Sequence, residues 1–288
     1  MTADPGGRPH IAIVGAGLGG LLCARILQKH HHPVTVFERE RPAAVRSPGG
    51  ALGRQPDTVD ALHGAELLDK VTTLARPQGL EVRTLDSDAT LLHRLPPTDD
   101  GTGTPEIGYA NLQRLLLKSL AKGTISWGTS VKQAVPLADG TSRLCLAGGT
   151  SQDFELVIGA DGAWSRTRQA LSDAVPAYLG TTLVETHINH ADTRHRNVLR
   201  LVGTGSMVAR AGTKALIAEH DGHGRLRLRA AFRALENWHT GLDLEDTEAV
   251  RARLLTMYDG WDESLLDLLR VSDGDFEPDA PIAAGGAL

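Results

Sequence analysis

After His10 the chain is apolar, breaks at a set of glycines, and then resumes with apolar positions at helical spacing. HIAIVGAG reads as a short buried strand of β-branched residues, and GGLLCARILQKH as a helix drawing apolar contacts from Leu21, Leu22, Ala24, Ile26 and Leu27. PVTVFERE supplies a second strand, Val34 to Phe37, ending in Glu38. Asn111 to Leu120 places Leu112, Leu115, Leu116 and Leu120 on one helical face, as a helix packed on a sheet requires. In FELVIGADGAWSRTRQAL, Leu156, Val157 and Ile158 form a further buried strand, a sharp turn follows at Asp161, and Ser165 can cap a helix beginning RTRQAL. Strand and helix signals therefore alternate from Ile11 to Leu171, the pattern of a parallel sheet covered by helices. RPQGLEVRTLDSDATLLHRLPP alternates in short strands about a Ser-Asp-Ala turn and predicts a hairpin leaving that sheet. From Pro176 to about Arg233 strand-like runs such as KALIAEH and RLRLRAAF dominate, with a helix over Asp246 to Met257, which predicts a second, mostly antiparallel sheet.

The first apolar run is too broken for a signal peptide or membrane span. Gly15, Gly17, Gly19 and Gly20 interrupt it and Arg25 follows, whereas a span needs about 20 apolar residues. The 288 residues are 41% hydrophobic and 23% charged, near globular norms, so a soluble protein with a sizeable core is expected. A net charge of −5 gives no basic field for nucleic acid. Cys23 and Cys145 lack partners at metal-ligand spacing, which points to a reducing compartment, by default the cytoplasm. Neither His30 to His32 nor the set His187, His190 and His195 forms a four-ligand pattern, and no Ser/His/Asp motif is present. Arg225, Arg227 and Arg229 share one face of a strand, expected to be a solvated sheet face, with lining of a pocket for a polar or acidic ring as the alternative.

The glycines carry the chemistry. Gly15, Gly17 and Gly20 stand in G-x-G-x-x-G spacing around Leu18, after a strand and opening a helix. Gly15 allows the tight turn, Gly17 lets the backbone approach a pyrophosphate, and Gly20 lets helix and strand pack closely, with the free amides of the helix N-terminus facing the anion. Glu38, roughly 20 positions on, fits the carboxylate that accepts hydrogen bonds from a ribose. Spacing alone admits FAD and NAD equally.

The stretch from the glycine loop through Glu38 and Arg39 resembles the opening of FAD-binding proteins of the glutathione-reductase type. Asp161, Gly162, Ser165 and Arg168 resemble the Asp-Gly motif of the flavoprotein aromatic hydroxylases, which disfavours an NAD-dependent dehydrogenase. RSPGGALGRQPDTVDALHGAELLDKVTTLARPQG and TPEIGYANLQRLLLKSLAKGTISWGTSV are similar to segments of one subgroup, the tetracycline-modifying FAD monooxygenases and related polyketide hydroxylases. The likeness extends from Ile11 to about Leu269. It implies an α/β fold: an FAD-binding Rossmann-like domain, residues 1–75 and 103–175, with a second, mostly antiparallel β-sheet substrate domain, residues 76–102 and 176–288.

The resemblance also implies site residues. Gly15, Gly17, Leu18 and Gly20 would hold the pyrophosphate, Glu38 the ribose and Arg39 the adenosine end of FAD. Arg46, Gly49 and Gly50 match an arginine and a glycine pair beside the flavin, and Asp161 would lie near the ribityl-pyrophosphate and the route used by NADPH. An R-x-D-L-R segment of the subgroup appears here as YANLQ, with Tyr109 and Gln113 in the arginine places. Gln113 is neutral and offers fewer donors than the arginine it replaces, so weaker flavin affinity or reactivity is expected. The family's later Gly-Asp motif has no counterpart. Gly274 and Asp275 are adjacent by coincidence, and the chain is expected to be truncated before that motif. The function implied is an FAD-dependent monooxygenase consuming NADPH and molecular oxygen to hydroxylate an aromatic or polyketide-like cyclic substrate. The alternative is a catalytically impaired remnant that binds nucleotide or substrate weakly or needs a complementing partner.

Overall fold

The computed structural model describes residues 7–42, 51–52, 56–74, 81–96, 107–222, 224–279 and 282–284. The chain divides into two compact units, one of residues 1–75, 107–177 and 284–288 and the other of residues 76–106 and 178–283.

The first unit opens with β1 (Ile11–Val14), α1 (Leu18–Lys29) and β2 (Val34–Glu38). A two-residue strand, β3 (Ala51–Leu52), and two short helices, α2 (Pro56–Gly64) and α3 (Leu68–Leu74), come next. The chain then departs into the second unit as a hairpin, β4 (Val82–Leu85) and β5 (Leu91–Leu95). Asp86 makes its turn by accepting from the amides of Asp88 and Thr90. On return, β6 (Ile107–Gly108) pairs with β3 and leads into α4 (Tyr109–Ser119), β7 (Ile125–Trp127) and an antiparallel meander of β8 (Val131–Pro136), β9 (Ser142–Leu146) and β10 (Ser151–Phe154). After β11 (Leu156–Gly159) comes a short strand, β12 (Pro176–Tyr178).

The parallel sheet has the order β11-β1-β2-β7. Alternation along β1 explains why all four of its residues are buried. Ile11 and Ile13 join Leu21, Ala24, Val36, Leu112 and Leu116 beneath the helices. Ala12 and Val14 face the opposite way and pack with Phe37, Val131, Leu144 and Phe154 under the meander. The meander is a departure from the uniform strand-helix alternation expected between Ile11 and Leu171. One face of this sheet is covered by strands, which periodicity along a single segment does not reveal. Two smaller corrections concern β11. Leu156 is exposed because β11 is the edge strand, and the helix expected at RTRQAL shrinks to a single 3-10 turn, Arg168–Ala170.

The second unit adds β13 (Thr181–Ile188), α5 (Ala191–Arg194), α6 (Arg196–Val202), β14 (Ser206–Ala211), β15 (Lys214–Gly222), β16 (Arg225–Arg233), α7 (Thr247–Met257), α8 (Glu263–Arg270) and β17 (Glu277–Asp279). Seven strands form one sheet in the order β17-β13-β16-β15-β14-β4-β5. Strand β4 is parallel to β14, and the other pairs are antiparallel. Val184, Ile188, Leu216, Leu228 and Phe232 bury one sheet face against Val202, Leu254, Leu265 and Leu269 of the helices. Asp246 and Asp262 cap α7 and α8 by accepting from the amides of Ala249 and Ser264. The helices α5 and α6, four and seven residues long, are too short for helical periodicity to stand out in a strand-rich stretch. Among the described residues no helix is long and apolar enough to cross a membrane, and no group of His, Cys, Asp and Glu is placed to hold a metal ion.

Glu81, 1% exposed, ties α6 to the sheet. Its carboxylate accepts from Arg83 Nε at 3.0 Å, Arg94 Nε at 2.6 Å and the Thr204 amide at 3.0 Å, while Arg83 Nη1 donates to the carbonyls of Arg200 and Leu201. The Arg83 hydrogen bond first, then the Thr204 amide and Arg94, overcome burial and lower its pKa to about 2. A depressed carboxylate pKa contributes stability above the ordinary glutamate range that is lost as pH falls toward 2. Glu81→Gln is expected to destabilise the protein by about 1–3 kcal/mol, since it takes the anion from the half-buried Arg83 and turns a donor toward the Thr204 amide, while the more exposed Arg94 is resolvated by water. Chemical denaturation at pH 7 measures this, and the difference from wild type should shrink on titration from pH 5 to pH 2.

Candidate cofactor site

Strands β1, β2 and β11 deliver their carboxyl ends to one place, and the site is the turn that follows each. Gly15 lies at φ +106°, and a Cβ there would sit 2.3 Å from the carbonyl oxygen of Ala160. A Cβ on Gly20 would lie 2.0 Å from the Gly15 carbonyl oxygen. These two glycines are therefore required by the protein's own packing, which brings α1 and the β1 turn against the β11 turn. Gly17 is different. It is extended, caps α1 without a side-chain hydrogen bond, and a Cβ on it would meet no protein atom within 4 Å. Its bareness keeps open the space in front of the helix, where the first-turn amides have no intrahelical acceptor.

Glu38 closes the loop from the side. Its carboxylate accepts from the Ala16 amide at 2.8 Å and from the Glu40 amide at 2.9 Å. Two donors leave lone pairs of the carboxylate available for further donors. The loop after β7 is tied to the same strand end, Thr129 donating its amide to the Glu38 carbonyl and Gly128 to that of Glu40.

Asp161 organises the third turn. One oxygen accepts from the hydroxyls of Ser165 at 2.6 Å and Thr167 at 2.7 Å, the other from the amides of Arg166 at 2.7 Å and Thr167 at 3.1 Å. Burial raises its pKa, but the Ser165 and Thr167 hydroxyls and the two amides together outweigh it, and the net direction is down. Ser165 Oγ in turn accepts from the Arg168 amide, but the helix it was expected to cap does not form, and the 3-10 turn that follows has Thr167 at its N-cap with no side-chain cap bond.

These turns surround a cleft of about 640 Å³. Of the residues singled out from the sequence, Gly15, Gly17, Glu38, Arg39, Gln113 and Asp161 all line it, as does Tyr109. Gly20 is buried beneath the loop and Leu18 packs toward the helix-side core, so both shape the cleft from behind. Arg46, Gly49 and Gly50 lie outside the described residues. Gln113 is 7% exposed. Thr129, Ser130, Trp164 and Arg166 also line the cleft and were not singled out. Their one sequence signal is position, since each follows the carboxyl end of a parallel strand, where α/β sheets bind ligands.

Residues 8–204 match the family model described as FAD binding domain. The chain belongs to this FAD-binding family. Among curated relatives of this FAD-binding chain are monooxygenase penA of Penicillium thymicola, 31% identical over 76% of this chain and 53% of the relative, and 3-amino-4-hydroxybenzoate 2-monooxygenase of Streptomyces cremeus, 34% identical over 59% and 44%. The chain spans about half the length of the curated relatives it matches. The crystal structure of tetracycline destructase Tet(51) shares the fold, with a TM-score of 0.66 at 20% identity over 96% of this chain and 71% of that one.

Two substitutions separate packing from loop geometry. Gly20→Ala is expected to lower stability by at least about 2 kcal/mol, because the added methyl overlaps the Gly15 carbonyl and one side must move. Asp161→Asn replaces one acceptor oxygen with a donor facing donors, and is expected to cost about 1–3 kcal/mol. Denaturant midpoints of both variants against wild type check these values.

Proposed function

We propose that this chain holds FAD in the β1-β2-β11 cleft and acts as an FAD-dependent monooxygenase. It would consume NADPH and molecular oxygen to hydroxylate an aromatic or polyketide-like cyclic substrate in the cytoplasm. One observation carries the reading: at Gly17 the backbone is bare toward open space while the α1 amides and the Glu38 carboxylate converge on it, a cradle that internal packing does not require. The names of the relatives agree with the reaction class, one being a monooxygenase of an aminohydroxybenzoate.

Bound FAD would supply the redox chemistry with oxygen, and the protein's part is to bind, orient and exclude water. The amides of Leu18 and Gly20 would face the pyrophosphate, whose charge suits a helix N-terminus. Glu38, with lone pairs beyond those given to Ala16 and Glu40, would take ribose hydroxyls. Arg39 would lie at the adenosine end, and Arg46 and Gly50 beside the flavin. Asp161 would act near the ribityl portion and the nicotinamide route chiefly by holding the Gly162–Arg168 turn in place, because both of its oxygens already accept bonds from that turn. Gln113 stands where the subgroup has an arginine and offers no permanent charge. The first unit is then the FAD-binding domain, and the second, with its seven-stranded sheet, the substrate domain.

Purified protein is expected to bind FAD with quenching of flavin fluorescence, and to oxidise NADPH faster when a suitable aromatic is added. Gly17→Ala should weaken FAD binding at least about tenfold while lowering the melting temperature of the FAD-free protein only by the small cost of exchanging a glycine N-cap for alanine, because the methyl enters only the cleft. Absence of FAD binding, or an affinity indifferent to Gly17→Ala, would overturn the reading.

A further inference from the structure

The first unit has a second opening, at the amino end of its parallel strands and so at the far end of β1 from the cofactor cleft. It is a shallow depression of about 580 Å³ where α1 and α4 end, lined by residues that include Arg25, Gln28, His31, His32, Pro33 and Leu120. Among the described residues no carboxylate lines it. Helix C-termini ordinarily favour cations, because their last carbonyls are without intrahelical partners. Here those acceptors are already used. The carbonyls of Ile26, Leu27 and Gln28 accept from the amides of His30, His32 and His31, that of Ala121 from Thr124, and that of Ser119 from Arg25. The Gln28 side chain is occupied between Thr124 Oγ1 and the Ala121 amide. Glu66, the carboxylate with which Arg25 interacts electrostatically, is held by Lys29 at 2.9 Å.

What the lining retains is donors. Arg25 makes two long bonds, from Nε to the Ala65 carbonyl and from Nη1 to that of Ser119, each 3.3 Å, and its Nη2 has no partner among the described residues. His32 buries Nδ1 without a partner, and a buried N–H lacking an acceptor is destabilising, so the neutral ring carries its proton on Nε2. His31 is exposed and stands at φ +60°, the left-handed position after a helix that glycine fills by default. An imidazole is kept there against the backbone preference. We infer that Arg25, His31 and His32 form a binding site for a phosphate group, at a place the cofactor reading does not use. A phosphate suits the site because it offers several acceptor oxygens at once and pairs strongly with a guanidinium. The opening is larger than a bare phosphate fills and falls in the range of small-molecule sites, and Pro33 and Leu120 give the organic part of a phosphate ester an apolar seat.

The test uses the full chain with FAD present, ribose 5-phosphate and inorganic phosphate as probes and ribose as the uncharged counterpart, with binding read by calorimetry. Wild type is expected to bind ribose 5-phosphate at least about tenfold more tightly than ribose, the scale of one charge-assisted bond. His31→Gly should weaken ribose 5-phosphate about fivefold without lowering the melting temperature of the phosphate-free protein, because glycine suits the left-handed position. Arg25→Lys keeps the charge but loses the fork and should weaken it at least about tenfold. If Arg25→Lys lowers the melting temperature through its two carbonyl bonds, His31→Gly carries the test. Ribose 5-phosphate bound more tightly than inorganic phosphate identifies an ester as the ligand, and equal affinities identify free phosphate; either upholds the site. Equal affinity for ribose and ribose 5-phosphate, no binding of either phosphate probe, or a preference that survives both substitutions would overturn the inference. Gly17→Ala separates the two proposals: it should leave ribose 5-phosphate affinity unchanged, and a loss there would place the probe in the cofactor cleft and remove this inference alone.

Discussion

The close approach of three backbone turns at the carboxyl ends of β1, β2 and β11 is the constraint on which the cofactor site depends. Gly15 presses on Ala160 and Gly20 presses on Gly15, so neither position has room for a side chain. The Ala160 amide donates to the Val14 carbonyl and the Gly15 amide to that of Phe37, each at 2.8 Å, which locks adjacent turns to one another. The cleft exists because this packing is tight behind the loop and open in front of Gly17. Its carboxylates serve the same end, Glu38 holding the first turn to the second and Asp161 holding the third in shape.

The two sheets solve different problems. The parallel sheet buries both faces, helices on one side and the β8-β9-β10 meander on the other, and so it needs near-continuous apolar strands at its centre. The seven-stranded sheet buries one face against α6, α7 and α8, and its other face mixes the ion pairs of Arg227 and Arg229 with apolar residues such as Leu183, Val208 and Ile217. Alternation is therefore clean in β13, broken in β16 only by the burial of Arg227, and absent in β1. Among the described residues the buried charges of the second unit are paired: Glu81 with Arg83 and Arg94, Arg227 with Glu185. The Glu81 network joins the hairpin β4-β5 to the end of α6, segments far apart in the chain, and substitutes a charged clamp for apolar burial at that junction.

Much of this was legible in the sequence. The glycine loop, the acid at the end of β2, the Asp-Gly turn, the amphipathic α4 and the hairpin about Ser87-Asp88-Ala89 are all local, set by residues a few positions apart whose spacing reflects backbone geometry. The family resemblance rested on those same segments. Helices α5 and α6 and the three-stranded meander were not legible, because short elements in a polar context carry little periodicity and draw their stability from what they pack against.

What the sequence determined alone is which residues have the conformational freedom and charge to build a nucleotide loop, since Gly15, Gly17, Gly20 and Glu38 are chosen by local backbone geometry and hydrogen-bonding capacity. Only the tertiary structure decided which of those glycines are bare for internal packing and which for an approaching ligand, because that depends on Ala160, nearly 150 residues away in the chain. It also decided that Arg227 and Arg229 of β16 are paired, the first of them buried, rather than solvated, since their partners Glu185 and Glu219 come from neighbouring strands and meet them only through sheet register.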